Sequence, residues 1–230
     1  MLDALGIASV EAVVGHDFGA SVAAWAAVTR PDVFRRMAIM SAPFSGPPAS
    51  RPAVREDVHA GMAALPRPRK HYQWYYGTRP ANEDMWHCPQ GVHAFLRAYF
   101  HHKSADWADN KPYRLGGWTA TELARMPTYY IMDLHENMAE TVAKEAPSGP
   151  APWLTEAELK VYSDEYARIG FQGGLQWYRC RTENVGAGFL QLYAGRTVDV
   201  PSLFVAGKSD WGVYQTPGAF EAMRTKACTD

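Results

Sequence analysis

The sequence predicts an α/β fold in which a parallel-sheet core is interrupted by a helical insertion. Three observations carry that expectation. First, "EAVVG" (11–15), an alanine-rich stretch and "RMAIMSAPF" (36–44) read as strand, helix and strand with short links, a βαβ unit whose strands pair in parallel. Second, the texture after Pro43 changes to helical and aromatic-rich down to about Tyr193. Third, the core texture returns at "VDVPSLFVAGKSDWG" (198–212). Residues 1–44 and 196–230 therefore read as the core and 45–195 as a helical cap, large enough to be a domain of its own.

The elements follow in order. "LDALG" resembles the last turn of a helix with Gly6 just past its end, too short to stand alone, so more chain is expected upstream. A buried strand over Glu11–Gly15 leads into a helix over Ala20–Val28, which "RPDVF" breaks. Met37–Ser41 forms the second buried strand, and "SGPPASRP" (45–52) marks a boundary. Val92, Phe95, Leu96, Tyr99 and Phe100 recur at helical spacing, which makes Gly91–His102 an amphipathic helix with His101 and His102 at a solvated end. "TATE" (119–122) and "TEAE" (155–158) fit capping boxes, and "KEAPSGPAPW" (144–153) is a connector. Ser202–Ala206 reads as a third buried strand and "TPGAFEAMRTKA" (216–227) as a helix. Three strands make a poor parallel core, because such a sheet needs cover on both faces.

Bulk composition narrows the function classes. Lys and Arg total 23 against 24 Asp and Glu, for a net charge of -1, with no basic block, which argues against nucleic acid or an anionic membrane as the main partner. No secretory signal and no apolar run of spanning length occurs. Three scattered cysteines, Cys88, Cys180 and Cys228, form no C-x-x-C pair and read as reduced thiols of a cytoplasmic protein. "HHKSAD" (101–106) lacks the companion spacing of a metal site, so no metal and no cofactor are expected.

The stretch "VVGHDFGAS" (13–21) concentrates the chemistry. Gly15-x-Asp17-x-Gly19 between a strand and a helix has the layout of a nucleophile elbow, with small residues on either side to prevent clashes. An Asp there meets the positive end of the helix and stays ionised, ready to act as a nucleophile. A plain N-cap after a glycine turn accounts for the same residues.

Four segments together resemble α/β-hydrolases of the epoxide hydrolase type. "VVGHDFGASVAAWAAVTRPDVFRRMAIMSAPF" is similar to that family's elbow region, with Asp in the nucleophile position. "HYQWYY" (71–76) and "GFQGGLQWYR" (170–179) resemble its two cap tyrosine segments, and "VPSLFVAGKSDWGVYQTPGAFEAM" resembles the stretch that bears the acid. The resemblance implies an α/β-hydrolase core with an inserted cap, acting on a small apolar epoxide without a cofactor. It implies Asp17 as nucleophile, Asp210 as the orienting acid, Tyr72 and Tyr178 as proton donors, and the Phe18 backbone N–H at the oxyanion. Gln73, Trp74 and Phe44 are implied at the substrate. Read without the family, Tyr72 and Tyr178 are packing aromatics and Asp210 a turn residue. Haloalkane dehalogenases resemble this elbow but place a Trp after the nucleophile, where Phe18 here has no side-chain donor.

Two family parts have no counterpart. The H-G-x-P segment that precedes the cap is missing, and no His occurs after His135, although the catalytic His is expected beyond Asp210. The expectation is therefore a chain truncated at both ends, or a remnant that binds a small apolar molecule without turning it over. His16, beside the nucleophile, is expected to point away from it.

Overall fold

The computed structural model describes residues 1–49 and 57–229, so the expected boundary at 45–52 lies partly outside them. In chain order the elements are β1 (Val13–His16), α1 (Phe18–Thr29) and β2 (Met37–Met40). Next come α2 (Val58–Ala63), β3 (Arg69–His71), α3 (Tyr72–Gly77), α4 (Pro80–Trp86) and α5 (Gly91–Lys103). Then α6 (Ala120–Leu123), β4 (Ile131–Asp133), α7 (Met138–Ala143), α8 (Glu156–Ile169) and α9 (Gln172–Thr182) follow. The chain closes with α10 (Ala187–Leu190), β5 (Ser202–Val205) and α11 (Ala219–Ala222). Two compact units result, one of residues 1–54, 112–117 and 186–230, the other of 55–111 and 118–185. The boundaries expected from sequence are 44/45 and 195/196.

The first unit holds a three-stranded sheet of order β1-β2-β5, parallel throughout, with Val13, Met37 and Ser202 in register. Helix α1 forms because alanine loses little on entering a helix, and its buried Ala20, Ala23, Ala24 and Ala27 let it lie close on the sheet. It starts at Phe18, two residues before the expected Ala20, because the chain turns directly from Asp17 into the helix. Ala20, Ala24, Met37, Ile39, Phe44 and Val198 belong to the core on this face of the sheet. The opposite face carries Val14, Leu203 and Val205, which are 62%, 58% and 50% exposed. The expectation of buried strands therefore holds on one face only, since strand side chains alternate and a single layer covers them. Near the N-terminus the expected helical turn is a short 3₁₀ turn over Asp3–Leu5, closed by Gly6 at φ 67°.

The second unit is helical around a two-stranded antiparallel sheet, β3 with β4, which the sequence reading did not anticipate. At three residues each, these strands are too short to show a period of two. Arg67 pairs with Asp133 through two hydrogen bonds of 2.6 Å, and the buried Arg69 donates to the Ile131 carbonyl across the same ladder. Helix α5 runs Gly91–Lys103 and buries Val92, Phe95 and Leu96, as the periodicity predicts. Its end differs from expectation. His102 is fully buried, edge-on to Trp107 and Tyr129 at 4.4 and 4.9 Å. Thr155 and Glu158 form a complete capping box on α8, and Asn137 with Glu140 forms another on α7. At α6, Thr119 accepts from the Glu122 N–H while the Glu122 carboxylate takes Arg125.

Candidate active site

The elbow is built by two residues in different ways. Asp17 sits at φ 55°, ψ -122°, outside every region an L-residue readily occupies. Such a conformation costs on the order of 1–3 kcal/mol and persists only when the surroundings impose it. Here Gly15 permits it, because a Cβ on Gly15 would lie 2.0 Å from the Gly19 carbonyl oxygen. A Cβ on Gly19 would meet nothing within 4 Å, so the second glycine is not demanded by space as the motif suggested. The expected N-cap is also corrected. The Asp17 side chain makes no capping hydrogen bond to the helix it precedes, so the carboxylate is not spent on α1. It stands at the end of β1 beside the first turn of α1, which begins with the half-exposed Phe18 and its backbone N–H. The pleat that turns Gly15 towards α1 turns His16 to the other face of the sheet, where it is exposed.

Asp210 lies past β5, so both carboxylates belong to the C-terminal end of the sheet, where open α/β sheets place their sites. With β2 between them, strands β1 and β5 run about 10 Å apart. Asp210 accepts a hydrogen bond of 2.7 Å from the Gly212 N–H and caps the short turn Trp211–Val213, so the turn reading is realised. That turn is held against the end of β2. A Cβ at Gly212 would lie 2.3 Å from the Ser41 hydroxyl, and buried Ser41 itself adopts φ 70°. Nothing in the sequence singles out Ser41, whereas the D-x-G spacing of Asp210 and Gly212 is a visible turn signal. Phe44, expected at the substrate, is 7% exposed and packs edge-on to Trp25 at 5.8 Å, which makes it a core residue. A cavity of about 300 Å³ in this unit is lined by Met37, Ile39, Phe204, Met223, Arg224 and Cys228, and neither carboxylate borders it.

The tyrosines come together within the second unit. Tyr72 opens α3 and Tyr178 lies on α9, with ring centroids 5.7 Å apart at 72°. Gln73 donates to the Tyr72 hydroxyl at 3.1 Å. A donor on a phenol oxygen favours the phenolate form of that ring. His71 caps α3, its Nδ1 accepting from the Gln73 N–H, and burial pushes this imidazole down to about 3, so it is neutral. Trp74 is 40% exposed and lies over the His59 ring at 3.6 Å. Among the described residues no three His, Cys, Asp or Glu side chains cluster as a metal site, and no helix is long and apolar enough to cross a membrane.

A strained Asp at a strand-to-helix turn and a second carboxylate at the same sheet end have the layout of an α/β-hydrolase site. A family model for the alpha/beta hydrolase fold matches residues 1–219, and the chain belongs to that family. More particularly, the chain is 29% identical over 228 residues to an epoxide hydrolase of Caballeronia sordidicola, across 97% of this chain and 58% of that protein. It is 44% identical to epoxide hydrolase A of Mycobacterium tuberculosis over 64 residues, 28% of this chain and 19% of the relative. The solved structure of an epoxide hydrolase from an endophytic Streptomyces aligns with a TM-score of 0.71 and 26% identity, over 99% of this chain and 61% of that one. The chain thus spans less than two thirds of the length of these relatives.

Proposed function

We propose that this chain carries the ring-opening machinery of an epoxide hydrolase, with Asp17 as the nucleophile. The observation that carries the reading is the Asp17 backbone at φ 55° with its carboxylate uncommitted to the helix cap. A carboxylate oxygen attacks one epoxide carbon, the strained C–O bond breaks, and its electron pair stays on oxygen as an alkoxide. Tyr72 or Tyr178 supplies the proton that turns the alkoxide into a hydroxyl. The product of this half-reaction is an ester between Asp17 and the opened epoxide.

Hydrolysis of the ester requires water to attack the Asp17 carboxyl carbon, with the oxyanion received by the Phe18 N–H and a base oriented by Asp210. The residues after Asp210 in these 230 contain no His. The similarity to epoxide hydrolases and the tyrosine pair both favour an epoxide over a haloalkane, and the substrate class is a small apolar epoxide. Trp74 and Gln73 are assigned to its surroundings.

The test is to incubate the 230-residue chain with styrene oxide and, separately, with a bromoalkane. Diol and halide release are followed, and ligand retention is compared between the parent and Asp17→Asn. The expected result is retention of the aryl group by the parent, none covalently by Asp17→Asn, and no halide. An aryl group retained equally by the parent and by Asp17→Asn after denaturation would overturn Asp17 as the nucleophile. Equal, reversible retention by both proteins would replace the enzymatic reading with simple binding.

A further inference from the structure

We propose that the cavity in the first unit is a binding site for a medium-chain monocarboxylate, whose carboxylate pairs with Arg224 while its alkyl tail fills the apolar interior. The inference is independent of the epoxide reading, because neither Asp17 nor Asp210 borders this cavity.

The walls come from three places. Strand β2 supplies Met37 and Ile39, β5 supplies Phe204, the register partner of Ile39, and the chain after α11 supplies Met223, Arg224 and Cys228. The volume of about 300 Å³ is at the lower end for small-molecule sites. At about 30 Å³ for each water-sized group, it has room for about ten non-hydrogen atoms, the size of octanoate. Helix α11 runs on into a single π-helical turn, Met223–Ala227, a rare conformation that recurs at functional sites.

The charge at this cavity has one sign. Among the described residues Arg224 is its single charged lining group, and no carboxylate pairs with it. Glu221, one turn earlier, pairs with Arg114 at 3.2 Å instead. The Arg224 guanidinium is exposed and lies 5.7 Å over the Phe220 ring, which packs in turn on Phe204 at 5.6 Å. Those two rings hold the cation at the rim, where its paired N–H donors match both oxygens of a carboxylate. The other polar lining groups have their protons engaged. Ser202 donates to the Val200 carbonyl at 2.8 Å, and Thr229 to the Asp199 carboxylate at 3.0 Å. Burial pushes the Cys228 thiol up, so it stays neutral and puts no negative charge beside the ligand. A neutral apolar molecule would leave the guanidinium unanswered, and acetate would leave the apolar walls unfilled.

The experiment is isothermal titration calorimetry of the 230-residue chain with octanoate, octan-1-ol and acetate. The parent is expected to bind one octanoate, to bind octanol about tenfold more weakly, and to bind no acetate. Arg224→Gln should weaken octanoate about tenfold, the loss of one charge-assisted pair, and leave octanol unchanged. Lys226→Gln removes a cation of the same turn that does not line the cavity, and should bind as the parent does. Arg114→Gln releases Glu221 towards Arg224 along the helix and should weaken octanoate. Asp17→Asn should bind octanoate like the parent. The location is read without any substitution. Saturating octanoate should slow alkylation of Cys228 by N-ethylmaleimide about tenfold, with the exposed Cys180 as the internal standard. No octanoate binding at millimolar concentration, octanol bound as tightly as octanoate, or equal binding by the parent and Arg224→Gln would overturn the proposal. Binding that leaves Cys228 unprotected would overturn it as well.

Discussion

Gly15 and Asp17 divide one task between them. Gly15 lets the strand approach the first turn of α1, and Asp17 takes the strained backbone that the approach creates. The two glycines of the motif should therefore respond differently. Gly15→Ala forces a methyl onto the Gly19 carbonyl and should cost about 2 kcal/mol or more, a fall in Tm of roughly 4–8 °C for a chain of this size. Gly19→Ala fills open space in the first turn and should leave Tm unchanged or slightly raised, as thermal melts followed by circular dichroism will report. His102 makes a second prediction at this scale. Burial pushes it down to about 4, and neither ring nitrogen has a hydrogen-bond partner in the protein. The unfolded chain takes up this proton near pH 6.5 and the folded one only near 4, so the unfolded state binds more protons between those values. Stability is then lost as pH falls through that window, by up to about 1.4 kcal/mol per pH unit for each such His. His71, held near 3, adds in the same direction. Urea titrations at about pH 7 and about pH 5 should show the loss, and His102→Leu should reduce it.

At the scale of elements, the helices were legible where their signals are local. The apolar spacing of α5 and the Thr155–Glu158 box are written in consecutive residues, and both appear in the structure. Thr155→Ala removes the cap and should destabilise by about 1 kcal/mol. The readout is a Tm lowered by roughly 2–4 °C. Thr119→Ala should cost less, because α6 has only four residues to lose. The elements that local sequence does not show depend on distant partners. The β3–β4 pair joins residues about 60 apart through Arg69, Ile131 and Asp133, and no window of sequence contains both strands. His102 misled for the same reason. Helix position alone describes a basic end exposed to water, while Trp107 and Tyr129 arrive from outside the helix to bury it.

For the molecule as a whole, the candidate site was legible in outline. The G-x-D-x-G layout, the two tyrosine segments and Asp210 were all visible as residues. The φ of Asp17, the idle cap and the packing of Phe44 were not, because they are set by how strands and helices meet. The three-stranded sheet was legible as well, and so was the shortfall of cover. Val14, Leu203 and Val205 leave one of its faces exposed, although parallel sheets are ordinarily covered on both. Since Leu203 and Val205 are at least half exposed, Leu203→Lys and Val205→Lys should each change stability by no more than about 0.5 kcal/mol, measured by urea unfolding. The central claim concerns Asp17, and peptide mapping by mass spectrometry after incubation with styrene oxide tests it most directly. The account predicts one adduct per chain, on the peptide containing Asp17 and absent from Asp17→Asn. An unmodified Asp17 peptide, or an adduct that survives in Asp17→Asn, would contradict it.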